Sequence, residues 1–146
     1  MNPAPPPEGR CSGFGFDIPF VDLLGFELEH FDDGQATIGY APAANHANAF
    51  GITHGGALMT LLDVVMASAA RSVQKESGMV TIEMKTSFMQ ISRGRLTGKG
   101  RLMHRSTSMA FTEATVYDEA GQACAHATGT FKYTRQRLPA PAQGTP

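Results

Sequence analysis

The sequence contains no tryptophan and only two cysteines, Cys11 and Cys124. Two cysteines are too few for a disulfide framework or a four-ligand zinc site, so we expect a reducing environment. The longest nearly apolar run, residues 57–70, is shorter than the roughly 20 residues that a membrane-spanning helix needs. No basic-then-apolar stretch opens the sequence, and we therefore expect a cytoplasmic protein with no membrane partner.

Prolines are scarce in the middle of the sequence and concentrated near both ends. This distribution predicts Pro-rich tails at residues 1–13 and 137–146 and a single folded domain at residues 14–136. The 146 residues and 42% apolar content suffice for one core and not for two.

The net charge is only −1, but its distribution is uneven. The first 65 residues carry eight acidic residues and one basic residue, whereas the rest carry eleven basic and five acidic. Five cations follow one another without an intervening acid: Arg93, Arg95, Lys99, Arg101 and Arg105. Such a run is typical either of a solvated strand face or of a patch that binds a phosphorylated small molecule. The pI of about 6.5 and the lack of interleaved aromatics argue against nucleic acid as a partner.

The apolar residues predict strands on both sides of one long helix. Period-two alternation over residues 26–40, interrupted by Asp32-Asp33-Gly34, predicts a hairpin, which a short helical segment at 19–24 precedes. Helical spacing from Leu58 to Val73 predicts a helix that runs to near Gly78 and is buried on nearly all sides. Further strands are expected at residues 79–90, 95–104, 109–118 and 122–134. This order predicts an α+β fold, in which a mostly antiparallel sheet wraps around the helix.

The segment at residues 48–56 leads directly into the predicted helix. Gly55 and Gly56 carry no side chain that would cover the main-chain N–H groups of the first turn. These N–H groups and the helix dipole suit an oxyanion, either a phosphate or a tetrahedral intermediate. The alternative is a tight loop that simply precedes a helix cap.

Asp63 is the only charged residue between Gly55 and Ala70. A carboxylate on an otherwise apolar or small-residue helix costs several kcal/mol unless it is paired or hydrated. It could pair structurally with Arg71 or Lys85, or it could serve as a general base or nucleophile.

The spacing of these two features constrains any shared chemistry. Eight residues of α-helix separate Gly55 from Asp63 by about 12 Å, so one carbonyl cannot lie within about 3 Å of both. If both groups act on one substrate, they belong to different chains. Small residues beside Asp63 on the helix, including Gly56 and Ala67, would let two such helices approach about a two-fold axis.

The motif Asn48-x-x-Gly51-x-x-His54-Gly55-Gly56, followed by Asp63 on a long helix, resembles the hotdog-fold acyl-CoA thioesterases of the phenylacetate-degradation (PaaI-like) type. Further similar blocks at 79–84, 104–114 and 125–131 extend the resemblance over residues 20–134. It implies a hotdog fold, hydrolysis of an acyl-CoA thioester to free acid and CoA, and a homodimer or homotetramer.

The resemblance also implies roles for five residues. Asp63 matches the catalytic carboxylate, acting as general base or nucleophile, and the Gly55 N–H matches the group that polarises the thioester carbonyl. Asn48 matches a polar residue near that carbonyl or the attacking water. His54 matches a histidine that shapes the turn and contacts the thioester, and Thr81 matches a hydroxyl that helps to hold the water.

The sequence departs from the family at Gln90-Ile91, where members usually have Arg-Pro. Contacts with the CoA phosphates are therefore expected from Arg93, Arg95 or Arg105. Gly56 and Ser106 are further candidates for binding the substrate.

No cofactor besides the CoA of the substrate is expected, and no metal. His46, His54 and Asp63 could be imagined as a metal set, but the separation along the helix argues against it. Two other functions on the same fold stay open, a non-catalytic acyl-CoA-binding or sensing module and an acyl-CoA hydratase.

Overall fold

The structure is a computed structural model that describes residues 13–139. The predicted tails lie outside the described residues, except for Gly13 and residues 137–139. No helix within the described part of the chain is long and apolar enough to cross a membrane.

Residues 13–139 form two α-helices and six β-strands. The helices are α1, Pro19–Leu24, and α2, Gly55–Arg71. The strands are β1 Glu27–Asp32, β2 Gln35–Tyr40, β3 Ser77–Phe88, β4 Leu96–Arg105, β5 Met109–Tyr117 and β6 Ala123–Arg137. Every predicted strand and the short first helix are found, with ends that differ by a few residues from the prediction.

The six strands form one sheet in the order β1-β2-β4-β5-β6-β3. Each neighbouring pair is antiparallel. The β1–β2 turn contains Asp33 and Gly34, whose φ angles of 49° and 76° lie in the left-handed region. The predicted α+β fold, an antiparallel sheet that packs around one long helix, is confirmed, and β3 lies at an edge of the sheet.

Helix α2 packs on the sheet through four completely buried side chains, those of Leu61, Leu62, Val65 and Met66. Burying one such side chain is worth roughly 1.5–3 kcal/mol. The helix comes so close to β4 that a Cβ atom on Gly100 would lie 2.7 Å from the Val65 carbonyl oxygen. Glycine at position 100 therefore lets α2 pack close to the sheet. This close packing fixes the positions of the first turn and of the middle of the helix.

The prediction that α2 extends to near Gly78 is wrong, because the helix ends at Arg71. The Ser72 hydroxyl donates to the Ala69 carbonyl and accepts from the Gly34 N–H, both at 2.7 Å. This pair of bonds ties the helix end to the β1–β2 turn and stops the helix there. Gly78 lies in β3, and Val73 lies in the turn that follows α2.

The prediction that α2 is buried on nearly all sides is also wrong for the single chain. Gly56 is exposed, Met59 is 37% exposed, and Asp63 and Ala67 are half-buried. The sheet covers one side of the helix, and within residues 13–139 no second layer covers this opposite face.

Candidate functional site

The first turn of α2 is built by His54, the residue that caps it. The Nδ1 atom of His54 accepts a hydrogen bond of 2.8 Å from the Gly56 N–H. Because Nδ1 acts as an acceptor, the ring proton of the neutral imidazole lies on Nε2. The Gly55 N–H donates to no group of residues 13–139. Of the two glycine amides, that of Gly56 is occupied by the cap and that of Gly55 is free.

An aromatic ring flanks this free amide. A Cβ atom on Gly55 would lie 3.4 Å from the ring of Phe88, the last residue of β3. Apart from this contact, the Phe88 side chain is exposed. It forms an apolar wall beside a main-chain donor, and nothing in the sequence pattern singled it out.

The loop before α2 is shaped by Asn48. Its side-chain oxygen accepts from the N–H groups of Phe50, at 2.9 Å, and Ile52, at 3.3 Å. Its main-chain carbonyl accepts from the Gly51 N–H at 3.0 Å. The side-chain oxygen of Asn48 is therefore already hydrogen-bonded within the loop. This loop positions His54 at the start of α2.

His46 supports the same loop, and the sequence analysis had considered it only as a metal ligand. Its Nδ1 accepts from the Ala43 N–H at 3.1 Å and from the Tyr40 hydroxyl at 2.8 Å. Its carbonyl accepts from the His54 N–H at 2.9 Å. Burial raises the pKa of Tyr40 to about 12, so its hydroxyl remains a donor. Groups of three potential metal ligands are absent from the part of the chain that the structure covers.

Asp63 lies in the middle of α2, half-buried, on the partly uncovered face of the helix. The Thr81 hydroxyl, from β3, donates to its Oδ1 at 2.7 Å. Burial raises the pKa of the Asp63 carboxyl above its ordinary value, and the hydrogen bond from Thr81 partly offsets that rise.

No ion pair within residues 13–139 involves Asp63. Arg71, one of the two expected structural partners, instead lies over the rings of Phe16 and Phe31. Lys85, the other, is not paired with Asp63 either. Within the described residues the structure thus joins Asp63 with the hydroxyl of Thr81 and not with a cation.

The five-cation run does not form one patch. Arg95 pairs with Glu29 at 3.0 Å and with Glu27 at 3.8 Å, both on β1. Arg101 pairs with Glu113 across the β4–β5 ladder at 2.6 Å. Acidic residues that are distant in the sequence neutralise these cations, as expected for a solvated strand face.

The remaining phosphate candidates lie in two places. Arg105 donates to the side chain of Gln74 at 3.4 Å, just beyond the C-terminal end of α2, and Ser106 accepts from the Met109 N–H in the β4–β5 turn. Arg93 lies in the β3–β4 connection, next to the loop that leads to Gly55. Within one chain, only Arg93 of these residues is near the start of α2.

The sequence model of the thioesterase superfamily matches residues 50–125, just over half of the chain. The matched part begins before Gly55 and includes all of α2 and Thr81. The chain therefore belongs to the thioesterase superfamily.

Individual relatives agree with this assignment. The protein SSO1253 of Saccharolobus solfataricus, provisionally named an esterase, is 25% identical over 116 residues, which are 79% of this chain and 77% of that protein. The solved structure of the conserved protein PA5202 from Pseudomonas aeruginosa has a TM-score of 0.76 at 27% identity and covers 82% of this chain and 97% of that one.

The E. coli PaaI protein from the phenylacetic acid degradation operon has the same fold, with a TM-score of 0.74 at 19% identity over 86% of this chain and 88% of that one. The resemblance to the hotdog thioesterases, with the PaaI-like type among the structural matches, is confirmed. Thioester hydrolysis is the class of activity that the family indicates.

Proposed function

We propose that this protein hydrolyses an acyl-CoA thioester to a free acid and CoA in a site shared by two subunits. The observation that supports this most directly is the environment of the Asp63 carboxylate. It is a half-buried carboxylate with no cationic partner in the described chain, and a hydroxyl fixes it in position. It shares a helix with the free main-chain donor of Gly55, which is the second group the reaction needs.

The site needs two subunits because of the distance along α2. Asp63 follows Gly55 by eight positions, which is about 12 Å along the helix. A substrate carbonyl must lie about 3 Å from its donor, with the attacking water beside it. One subunit therefore supplies Gly55 and the other Asp63, in a homodimer or in a homotetramer built from such dimers.

Two exposed surfaces support this assembly. Strand β3 has 12 residues, and among residues 13–139 only β6 pairs with it, so no described strand covers its outer edge. Val80 and Ile82 of this strand are 46% and 53% exposed. A long unpaired edge with apolar residues readily pairs with another strand. Within the described part of the chain, the face of α2 that carries Asp63 is only partly covered as well. A second copy that pairs along β3 would cover both surfaces.

The chemistry divides between the two groups. The Gly55 N–H binds the thioester oxygen, and the helix dipole stabilises the negative charge that develops there. Asp63 accepts a proton from a water that attacks the carbonyl carbon, or it attacks the carbon itself to give an anhydride that water then opens. In either route the C–S bond breaks, its electron pair leaves on sulfur, and the sulfur takes up a proton to give free CoA.

An apolar cavity of about 290 Å³ beside the helix start gives room for the acyl group. It is lined by residues of α1, of the loop before α2 and of the first turn of α2, among them Phe20, Leu23, His46, His54 and Ala57. Its volume within one subunit lies just below the roughly 300–1,000 Å³ that is usual for small-molecule sites.

The test is the release of CoA thiol from a panel of acyl-CoA esters by the Asp63→Asn variant. We expect kcat/KM to fall by roughly 10²–10⁴-fold, because the amide of Asn cannot accept the proton. The matched control is Asp33→Asn, since Asp33 lies in the β1–β2 turn and Asn tolerates its positive φ. Retention of activity within a few-fold of the parent in Asp63→Asn would contradict the proposal. Binding of acyl-CoA without turnover by the parent would instead favour a binding module.

A further inference from the structure

Two contacts connect strand β3 to helix α2 at the two groups that the proposed reaction uses. In the first half of β3, the Thr81 hydroxyl donates to Asp63 at 2.7 Å. At the end of β3, the Phe88 ring lies 3.4 Å from the position that a Cβ atom on Gly55 would occupy. Strand β3 therefore runs beside α2 from the basic group to the main-chain donor.

The pairing of β3 with β6 shows which residues of β3 face the helix. Residues directly opposite each other in an antiparallel pair point to the same face of the sheet. Four residues of β3 stand opposite buried residues of β6 and so share the inner face, on which α2 packs: Thr81, Met84, Thr86 and Phe88. Three others stand opposite residues that are not buried and so share the outer face: Glu83, Lys85 and Ser87. A register shift between positions 81 and 83 explains the change of alternation there.

A site shared by two subunits fixes how a second copy lies against β3. The carbonyl bound by Gly55 of one subunit must lie within reach of the partner's Asp63, and the two-fold axis imposes the same relation with the subunits exchanged. Phe88 flanks Gly55, and the partner's Thr81 holds the partner's Asp63. Phe88 of one subunit therefore lies beside the partner's Thr81.

We propose that the two β3 strands pair antiparallel about Lys85, so that each Lys85 lies opposite its own copy and Phe88 lies opposite the partner's Thr81. The inference rests on the proposed function, from which it takes the shared site. A two-fold axis perpendicular to the sheet keeps inner residues on the inner face, so one residue of the pair of strands must face its own copy. Lys85 is the midpoint between Phe88 and Thr81, with Thr86 on one side of it and Met84 on the other.

This pairing makes Phe88 a part of the active site. Side chains that are directly opposite have Cβ atoms about 4.5–5.5 Å apart. The Phe88 ring, which is 53% exposed in the single chain, then lies over the Thr81–Asp63 pair of the partner subunit while it flanks the Gly55 amide of its own. It forms an apolar wall between the donor and the base, and it keeps bulk water from the space between them.

The charges on the outer face agree with the same register. Lys85 forms no ion pair in the part of the chain that the structure describes. Its own copy opposite it is unfavourable, but Glu83 of the partner subunit is its diagonal neighbour, with Cβ atoms about 7–8 Å apart. A lysine side chain spans that distance. The two opposed lysines are therefore flanked by two carboxylates.

The register is tested by single cysteine substitutions in a Cys11→Ser/Cys124→Ala background. In Lys85→Cys the two new thiols face each other at a Cα separation of about 4.5–5.5 Å, which a disulfide can span. We expect mild oxidation to convert most of this variant to a covalent dimer on a non-reducing gel. The matched controls are Glu83→Cys and Ser87→Cys, which should cross-link when mixed with each other but not alone. Absence of the Lys85→Cys dimer, or equal cross-linking by either control alone, would overturn the register.

The role of Phe88 is tested in hybrid dimers of an Asp63→Asn chain and a Gly55→Pro chain. Their one complete site takes Gly55, and with it Phe88, from the Asp63→Asn chain. Phe88→Ala in that chain should lower thiol release about tenfold, because water then enters beside the donor and the base. Phe88→Leu there should recover most of the loss. Phe88→Ala in the Gly55→Pro chain changes only the incomplete site and should have little effect. Equal losses from the two placements would overturn the role of Phe88.

The cross-linking experiment also separates this inference from the proposed function, because it needs no turnover. A covalent Lys85→Cys dimer of a protein that hydrolyses no thioester supports the pairing, and only the proposed function then fails. An active parent whose Lys85→Cys variant stays monomeric on the non-reducing gel keeps the proposed function and overturns the register.

Discussion

The first turn of α2 and its middle both carry a group suited to thioester chemistry, but the two are built differently. The first turn offers a main-chain N–H, that of Gly55, which is left free because His54 occupies the next amide. The middle offers a side chain, Asp63, which is held by Thr81 from a separate strand. One group depends on the local course of the backbone, and the other depends on how the helix packs on the sheet.

The two groups also differ in their electrostatics. The amide lies where the helix dipole favours negative charge, so it stabilises an oxyanion without any change of protonation. Asp63 lies eight residues further on and gains nothing from that end of the dipole. Burial raises its pKa, which makes it a stronger base than an exposed carboxylate. The fold thus places an electrophilic group and a basic group on one helix while keeping them apart.

The main-chain donor can be removed without a disruptive side chain. In Gly55→Pro the amide hydrogen is absent, yet Pro is favoured at the first position of a helix. His54 before it has ψ of 137°, the extended conformation that a residue preceding Pro prefers. We expect kcat to fall by roughly 10²–10³-fold, as for the loss of one oxyanion donor. Thiol release measures this, and thermal unfolding checks that the fold is retained.

Gly55→Ala is the matched control for this variant. It keeps the amide hydrogen and adds a Cβ atom at 3.4 Å from the Phe88 ring, a contact that a small shift of this exposed ring relieves. We expect it to retain activity within about tenfold of the parent. If the two variants lose activity equally, crowding by Phe88 and not the missing donor would be the cause, and the role of Gly55 would be wrong.

The features of the first turn and of the middle of α2 that the sequence alone predicted are those that depend only on residues close together in the chain. The glycines before an apolar helix, the lone carboxylate within it and the 12 Å between them follow from the order of residues in one helix. The strands could be predicted for the same reason. The alternation of apolar and polar residues along a strand does not depend on which strand it pairs with. The hydroxyl of Thr81 was reached only through the resemblance, because 18 residues and a strand pairing separate it from Asp63.

What could not be predicted depends on contacts distant in sequence. The end of α2 is set by a bond between Ser72 and Gly34, which no helical periodicity contains. The pairing of Arg95 with β1 requires the sheet to be assembled first. The role of His46 was missed because it arises from the folded loop, where its ring accepts from Tyr40 and its carbonyl accepts from His54.

Mixing the two variants tests whether the groups act across subunits. Asp63→Asn and Gly55→Pro are each expected to lose nearly all activity alone, but a hybrid dimer has one site with both native groups. Random exchange makes half of the dimers hybrid, so about a quarter of the parent activity should return. The measurement is thiol release after unfolding and refolding the two proteins together, compared with each protein refolded alone. Activity no higher than the mean of the separate proteins would contradict a shared site.

The smallest effect is expected from Thr81→Val, which alters the surroundings of Asp63, the proposed base, without removing its carboxylate. The Thr81 hydroxyl favours the ionised form of Asp63, so its loss raises the pKa of that carboxyl further. Because the base must be ionised, the acidic limb of the pH profile of kcat/KM should move to higher pH, with only a several-fold loss well above it. Thr81→Ser, which keeps the hydroxyl, should restore the parent profile. An acidic limb that stays in place or moves to lower pH would show that Thr81 does not act through Asp63. The proposed site at the middle of α2 would then consist of Asp63 alone.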